Sequence, residues 1–142
     1  MKVYIAIDGD GVGTKLSYLI QSESGDKIIS SYAHGVAEEM AVFARKVEGM
    51  GGKSIMCSGD SVLGAIDAAK VSEALSMLKN MEYATYSAGT GRTIKEAALC
   101  LQYAKLNGKK QTWHWQKAKP FWLKLRIESP FKALSKYAKG HF

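Results

Sequence analysis

KVYIAIDGDGVG, residues 2–13, and SIMCSGDSVLGAI, residues 54–66, decide the fold of this chain. Lys2 to Ile7 is an almost unbroken apolar run rich in branched side chains. It stops at Asp8-Gly9-Asp10-Gly11, as a buried strand does when it opens into a loop. In the second stretch, two short apolar runs, Ser54 to Cys57 and Val62 to Ile66, flank Ser58-Gly59-Asp60-Ser61. That is the composition of a tight hairpin with Asp60 at its tip.

Working outward, a short helix is predicted from Thr14 to about Gln21. Val36, Met40, Phe43, Ala44 and Val47 then recur at helical spacing until Gly49, Gly51 and Gly52 stop them. A third helix is expected from about Ala68 to Lys79 on Val71, Ala74, Leu75 and Leu78, and a strand from Tyr83 to Ser87. Thr93 with Glu96 forms a capping box for a fourth helix on Ile94, Ala97, Ala98, Leu101 and Ala104, closed by Asn107-Gly108. A last strand runs from about Lys110 to Trp115.

The resulting order, βααββαβαβ, is an α+β ferredoxin-like core with one added helix and one added strand. The expectation is an antiparallel sheet with its helices packed on one face. With the first strand central, the loop after Ile7 meets the hairpin tip, so that Asp8 and Asp60 converge. Residues 1–115 form this domain, and residues 116–142 form a basic, aromatic extension, strand-like over 121–128 and helix-like over 131–139.

The chain has 142 residues and is 46% hydrophobic, enough for one core of ordinary size. Cys57 and Cys100 belong to no C-x-x-C pair and read as buried thiols of a reducing compartment. The amino terminus turns polar too early for a signal peptide or a membrane span, so a cytoplasmic protein without membrane insertion is expected. The net charge of +7 is concentrated at one end. Residues 1–108 carry 11 Lys/Arg against 12 Asp/Glu, whereas residues 109–142 carry nine against one. Such a tail attracts polyanions without choosing among nucleic acid, nucleotide phosphates and anionic lipid. Trp113, Trp115, Phe121 and Trp122, interleaved with lysines, could stack bases, but the favoured reading is a last strand and a dimer contact. His34, His114 and His141 are too scattered for a cluster.

Two carboxylates from distant positions, meeting at a strand end and a hairpin tip, are what a metal-assisted phosphoryl-transfer site requires. Hard oxygen ligands suit Mg2+ or Mn2+, and magnesium prefers one or two carboxylates plus substrate phosphate oxygens. Asp10 stands as a third carboxylate. Taken singly, Asp8 and Asp10 fit an ordinary polar loop and Asp60 an ordinary turn; convergence is what singles out the pair. Gly9, Gly11 and Gly13 either let backbone amides approach phosphate or only supply turn geometry.

Three motifs in order, IAIDGDGVG, CSGDSVL and YSAGTGRTIKEAALCLQYAKLNGKKQ, resemble the palm domains of type III CRISPR polymerases and GGDEF-type cyclases. The small size looks most like the minimal CRISPR polymerase group, mCpol. The resemblance implies a homodimeric cyclase that joins nucleoside triphosphates, with ATP expected, into a cyclic dinucleotide or short cyclic oligonucleotide for antiphage defence. It also implies a separately encoded effector that senses the product. Carried over by position, Asp8 matches the first metal ligand with the Gly9 carbonyl as companion, and Asp60 matches the acidic hairpin residue. Lys105 matches the lysine that reaches triphosphate oxygens, and Lys109 is a weaker candidate of the same kind. Asp10, Gly11, Val12, Gly13, Ser58, Gly59 and Ser61 complete the nucleotide-binding set.

The hairpin departs from the family pattern, with Ser61 in place of a second acidic residue and Ser58 in place of the first glycine. Asp10 then supplies the missing charge, or substrate phosphates hold the second ion, or the domain is a degenerate palm that binds nucleotide or nucleic acid without turnover. A rival reading comes from Asp8-Gly9-Asp10-Gly11-Val12, which also fits the nucleophile loop of haloacid dehalogenase-type phosphatases, with Asp8 phosphorylated and Asp10 as acid and base. That fold needs a parallel sheet and a late acidic motif. Gly9 to Lys15 lacks P-loop spacing, and Val12 stands where a calcium loop needs Asp or Asn.

Overall fold

The computed structural model describes residues 1–115 and a short strand at 125–127. Strand β1 (Lys2–Gly9) leads into helices α1 (Val12–Gln21) and α2 (Asp26–Gly49), and strands β2 (Lys53–Ser58) and β3 (Ser61–Asp67) form the hairpin. Helix α3 (Val71–Ser76), strand β4 (Tyr86–Gly91), helix α4 (Ile94–Leu106) and strands β5 (Thr112–Trp115) and β6 (Leu125–Ile127) follow. The six strands make one sheet in the order β2-β3-β1-β4-β5-β6. Among the described residues no helix is long and apolar enough to cross a membrane.

The expected element order holds, and β1 is central with antiparallel neighbours on both sides. That arrangement excludes the parallel sheet required by the phosphatase reading. The hairpin closes as expected: Ser58 pairs with Ser61, and Gly59, at φ +54°, supplies the left-handed residue that so short a loop needs.

Several expectations need correction. The sheet is mixed, because β4 and β5 run parallel. The strand expected at Tyr83–Ser87 starts at Tyr86 and runs through the glycines to Gly91. The third helix is shorter, with α3 flanked by single 3-10 turns at Ala68–Lys70 and Met77–Asn80.

The helices do not share one face of the sheet. Met40, Phe43 and Val47 of α2 and Val71, Ala74 and Leu75 of α3 pack on Ile5, Ile7, Val62, Ile66, Tyr86 and Ala88, forming the main core. Helix α4 lies on the other face. Gly89, next to Ala88 and therefore pointing the opposite way, has its notional Cβ only 2.2 Å from the Ala97 carbonyl oxygen and the Leu101 nitrogen. On that face Cys100 and Ala104 bury against Trp113, and Tyr103 stacks on the indole at 5.5 Å between centroids.

Strands β3, β4 and β5 point the same way and succeed one another in the same direction across the sheet. Their connecting helices α3 and α4 nevertheless lie on opposite faces, so the two crossovers have opposite hands. One of them departs from the right-handed rule. The opposite placement of the two helices brings α4 over the polar side of β1, where Asp8 sits.

Cys100 is buried as expected, with its thiol pushed up to about 12 by burial and then by Glu96, whereas Cys57 on the edge strand β2 is exposed. Of the extension, Leu125–Ile127 pairs antiparallel with β5. The helix expected at 131–139 and the rest of the strand expected at 121–128 lie outside the described residues.

Candidate active site

Alternation along β1 turns Ile5 and Ile7 into the core and Asp8 to the opposite face, the one covered by α4. Its cross-strand partners are Ser61 on β3 and Ser87 on β4. The Ser61 hydroxyl donates to Asp8 Oδ1 at 2.7 Å and lies 3.5 Å from Asp60 Oδ1, so it bridges the two carboxyl groups. The hairpin tip is tied down by the Gly9 amide, which donates to the Asp60 carbonyl at 2.9 Å. Gly9 is a steric requirement here, since a Cβ would lie 2.7 Å from Val12 Cγ2 and 3.0 Å from Asp60 Cβ. Asp8 and Asp60 therefore converge at the mouth of β1.

Burial, followed by the negative charge of Asp8, pushes the Asp60 carboxyl above its ordinary value, and Lys105 and Ser61 only partly offset this. Lys105, near the end of α4, reaches across this space. Its ammonium donates to the Gly9 carbonyl and lies 3.2 Å from Asp8 Oδ2 and 3.0 Å from Asp10 Oδ1.

Asp10 sits differently. Its side chain is only 6% exposed, and its oxygens accept hydrogen bonds from Ser87 Oγ at 2.7 Å, Thr85 Oγ1 at 2.9 Å and the Lys110 amide at 2.9 Å. Burial alone would raise its pKa, but these bonds and Lys105 outweigh burial and hold the carboxyl below its ordinary value. Lys109 and Lys110 adopt φ of +61° and +50°, and the bend they make aims the Lys110 amide at Asp10.

Gly11, at φ +68°, is the N-cap of α1 without a side-chain cap, and a Cβ on Gly11 or Gly13 would meet nothing within 4 Å. The first turn of α1 thus follows directly on Asp10 with its amides uncapped by a side chain, an arrangement that suits phosphate. Val12 is nearly buried against Leu19, Tyr32 and Val36. Ser58 and Gly59 are exposed at the hairpin, and the exposed Lys109 belongs to the bend, where its amide bonds the Ala104 carbonyl. Next to the acids, between α1 and α2, lies a mostly apolar groove of about 560 Å³ lined by Lys15, Leu19, Ile28, Tyr32 and Tyr83. Burial and then the Asp60 and Glu39 charges raise the pKa of Tyr32 in this groove wall.

Sequence reasoning missed Ser87 and Thr85, which hold Asp10, and Glu39. Glu39 accepts from the Tyr86 hydroxyl at 3.0 Å and from the Tyr83 amide at 3.2 Å, fixing the segment that enters β4. Two-residue alternation could have signalled Ser87 as a neighbour of Asp8 once β4 was correctly bounded. Nothing in the sequence signals Glu39.

Among the described residues no group of three or more His, Cys, Asp or Glu side chains is placed to hold a metal ion. A divalent cation would draw on two carboxylates, Asp8 and Asp60, and the Gly9 carbonyl, the sparse oxygen set that leaves magnesium room for substrate phosphates. The residues fit such an ion, because the Lys105 ammonium already leans on two of these groups. No curated protein matches the chain in sequence. Residues 4–114 match the minimal CRISPR polymerase domain, mCpol, so the chain belongs to that family and to its polymerase-like, nucleotidyltransferase class of activity.

Proposed function

We propose that this protein joins nucleoside triphosphates, ATP first among them, into a cyclic dinucleotide or short cyclic oligonucleotide used as an antiphage signal. The observation that carries the reading is the convergence of Asp8 and Asp60, bridged by Ser61, beneath the ammonium of Lys105. A Mg2+ or Mn2+ ion bound there would acidify an attacking ribose hydroxyl and neutralise charge on the α-phosphate.

The chain's own residues position and neutralise. Lys105 is placed to share a phosphate oxygen with the cation, and the uncapped amides of α1 suit the rest of the triphosphate. The mostly apolar groove beside Tyr32 is the candidate seat for the base, with Lys15 lying 5.4 Å from the Tyr32 ring centre. In each linkage a ribose oxygen forms a bond to the α-phosphorus of a second triphosphate. The bond from that phosphorus to the bridging oxygen breaks, pyrophosphate leaves, and the hydroxyl proton passes to solvent. One chain carries one Asp8/Asp60 pair, so closing a small ring is simplest when two copies face each other as a homodimer. A separately encoded effector would read the product.

Purified protein incubated with each triphosphate and Mg2+ or Mn2+, followed by mass spectrometry, tests the proposal. A cyclic product that is lost in Asp8→Asn is expected. Nucleotide binding without any new phosphodiester would instead establish the degenerate palm.

A further inference from the structure

We infer that Asp10 is a positioning residue whose carboxylate gives the Lys105 ammonium a second seat and so keeps it from competing with a divalent ion for Asp8. The inference rests on the reading that Asp8 and Asp60 hold such an ion. Lys105 leans on Asp8 Oδ2 and the Gly9 carbonyl, the same two groups the ion would use. A fixed cation on those groups opposes metal binding unless it can move its weight elsewhere. Asp10 Oδ1, at 3.0 Å, is the only other carboxylate ion-paired with Lys105 among the described residues.

Asp10 is built for holding rather than for ligation. A carboxylate offers about four acceptor positions. Here Oδ1 takes Ser87 Oγ and Lys105 Nζ, and Oδ2 takes Thr85 Oγ1 and the Lys110 amide. Three of these four donors are fixed by the backbone of β4, by the segment before it and by the bend after α4. The bend keeps two lysines in the left-handed region, a conformation that non-glycine residues hold only at a cost in energy. An ion could bind Asp10 only by displacing several of these bonds. The lysine, in contrast, is already present, and it can shift from Asp8 toward Asp10 while turning a free N–H toward substrate phosphate.

The test is a double-mutant cycle on Mn2+ affinity, read from the electron paramagnetic resonance signal of free Mn2+, with circular dichroism confirming the fold. Asp10→Asn should weaken Mn2+ binding roughly tenfold, because Lys105 then has only Asp8 as partner. With Lys105→Met already present, the same substitution should cost at least about fivefold less. An equal loss in both backgrounds, as direct ligation or simple loss of charge would give, would overturn the inference while leaving the metal site intact. Absence of any Asp60-dependent Mn2+ binding would overturn both.

Should Asp10→Asn fail to fold, ammonium-detected NMR of the unsubstituted protein decides the matter. On Mg2+ saturation the Lys105 ammonium signal should stay resolved and shifted, still bonded to Asp10. Its collapse into the signal of free lysines would contradict the inference.

Discussion

Asp10 and Asp60 lie near one lysine, Lys105, yet their surroundings drive them in opposite directions. Asp60 is pushed above its ordinary value of 3.8, so the folded chain holds its proton more tightly than the unfolded chain does. Stability from this residue is therefore greatest at low pH and falls as pH rises through the folded-state value. Asp10 is lowered from the same value, so its contribution is present above 3.8 and is lost as pH falls through its folded-state value. Without added metal at pH 7, Asp60→Asn should raise the melting temperature and Asp10→Asn should lower it. Solvent screening limits the Asp60 effect to a few degrees. A pair of melting curves checks the signs: the Asp60 difference should shrink as pH falls toward 3.8, and the Asp10 difference only as pH falls below it. Lys105→Met should raise KM for the triphosphate about tenfold or more, measured by steady-state kinetics, because one charge-assisted contact to phosphate is lost.

The candidates Asp8 and Asp60 were legible because each sits at a position that local pattern defines, a strand end and a hairpin tip, whereas Lys105 was singled out only through the resemblance to the family motif. Ser87, Thr85, Glu39 and the Lys110 amide were not, since they act only through hydrogen bonds between elements distant in sequence.

Among the elements, α4 and β4 decide the geometry. Helix α4 approaches the sheet so closely because its inner side is Ala97, Cys100 and Ala104, and because β4 offers Gly89 and Gly91 beneath it. The strand was expected to end at Ser87, but it runs on through those glycines, which are the bed on which a helix lies. The face chosen by α4 was also illegible, because element order does not encode crossover hand. Gly89→Ala should destabilise the fold by roughly 1–3 kcal/mol through overpacking, measured by urea unfolding. It should also move Lys105 away from Gly9, so that activity falls more than the loss of folded protein explains. Unchanged activity per folded molecule would mean that the seat of α4 does not set the lysine.

At the scale of the whole molecule, the order of elements followed from hydrophobic pattern with turn and capping signals, and the usual arrangement of a ferredoxin-like core then gave the central position of β1 and the meeting of Asp8 and Asp60. Edge strands close the sheet at β2 on one side and β6 on the other, and β6 shows that part of the basic extension joins the sheet of the domain. A homodimer is expected from the need for two facing sites, and sedimentation velocity should give twice the mass of 15.5 kDa. A monomer that still makes a cyclic product would break the link between ring closure and pairing.

The central claim is that Asp8 and Asp60 share one divalent ion that drives transfer to the α-phosphate. Pyrophosphate release from ATP with Mg2+, compared between the unsubstituted protein and a folded Asp60→Asn variant, tests it most directly. The account predicts release by the former and a loss on the order of a hundredfold or more in the latter. Equal release by both proteins would contradict it.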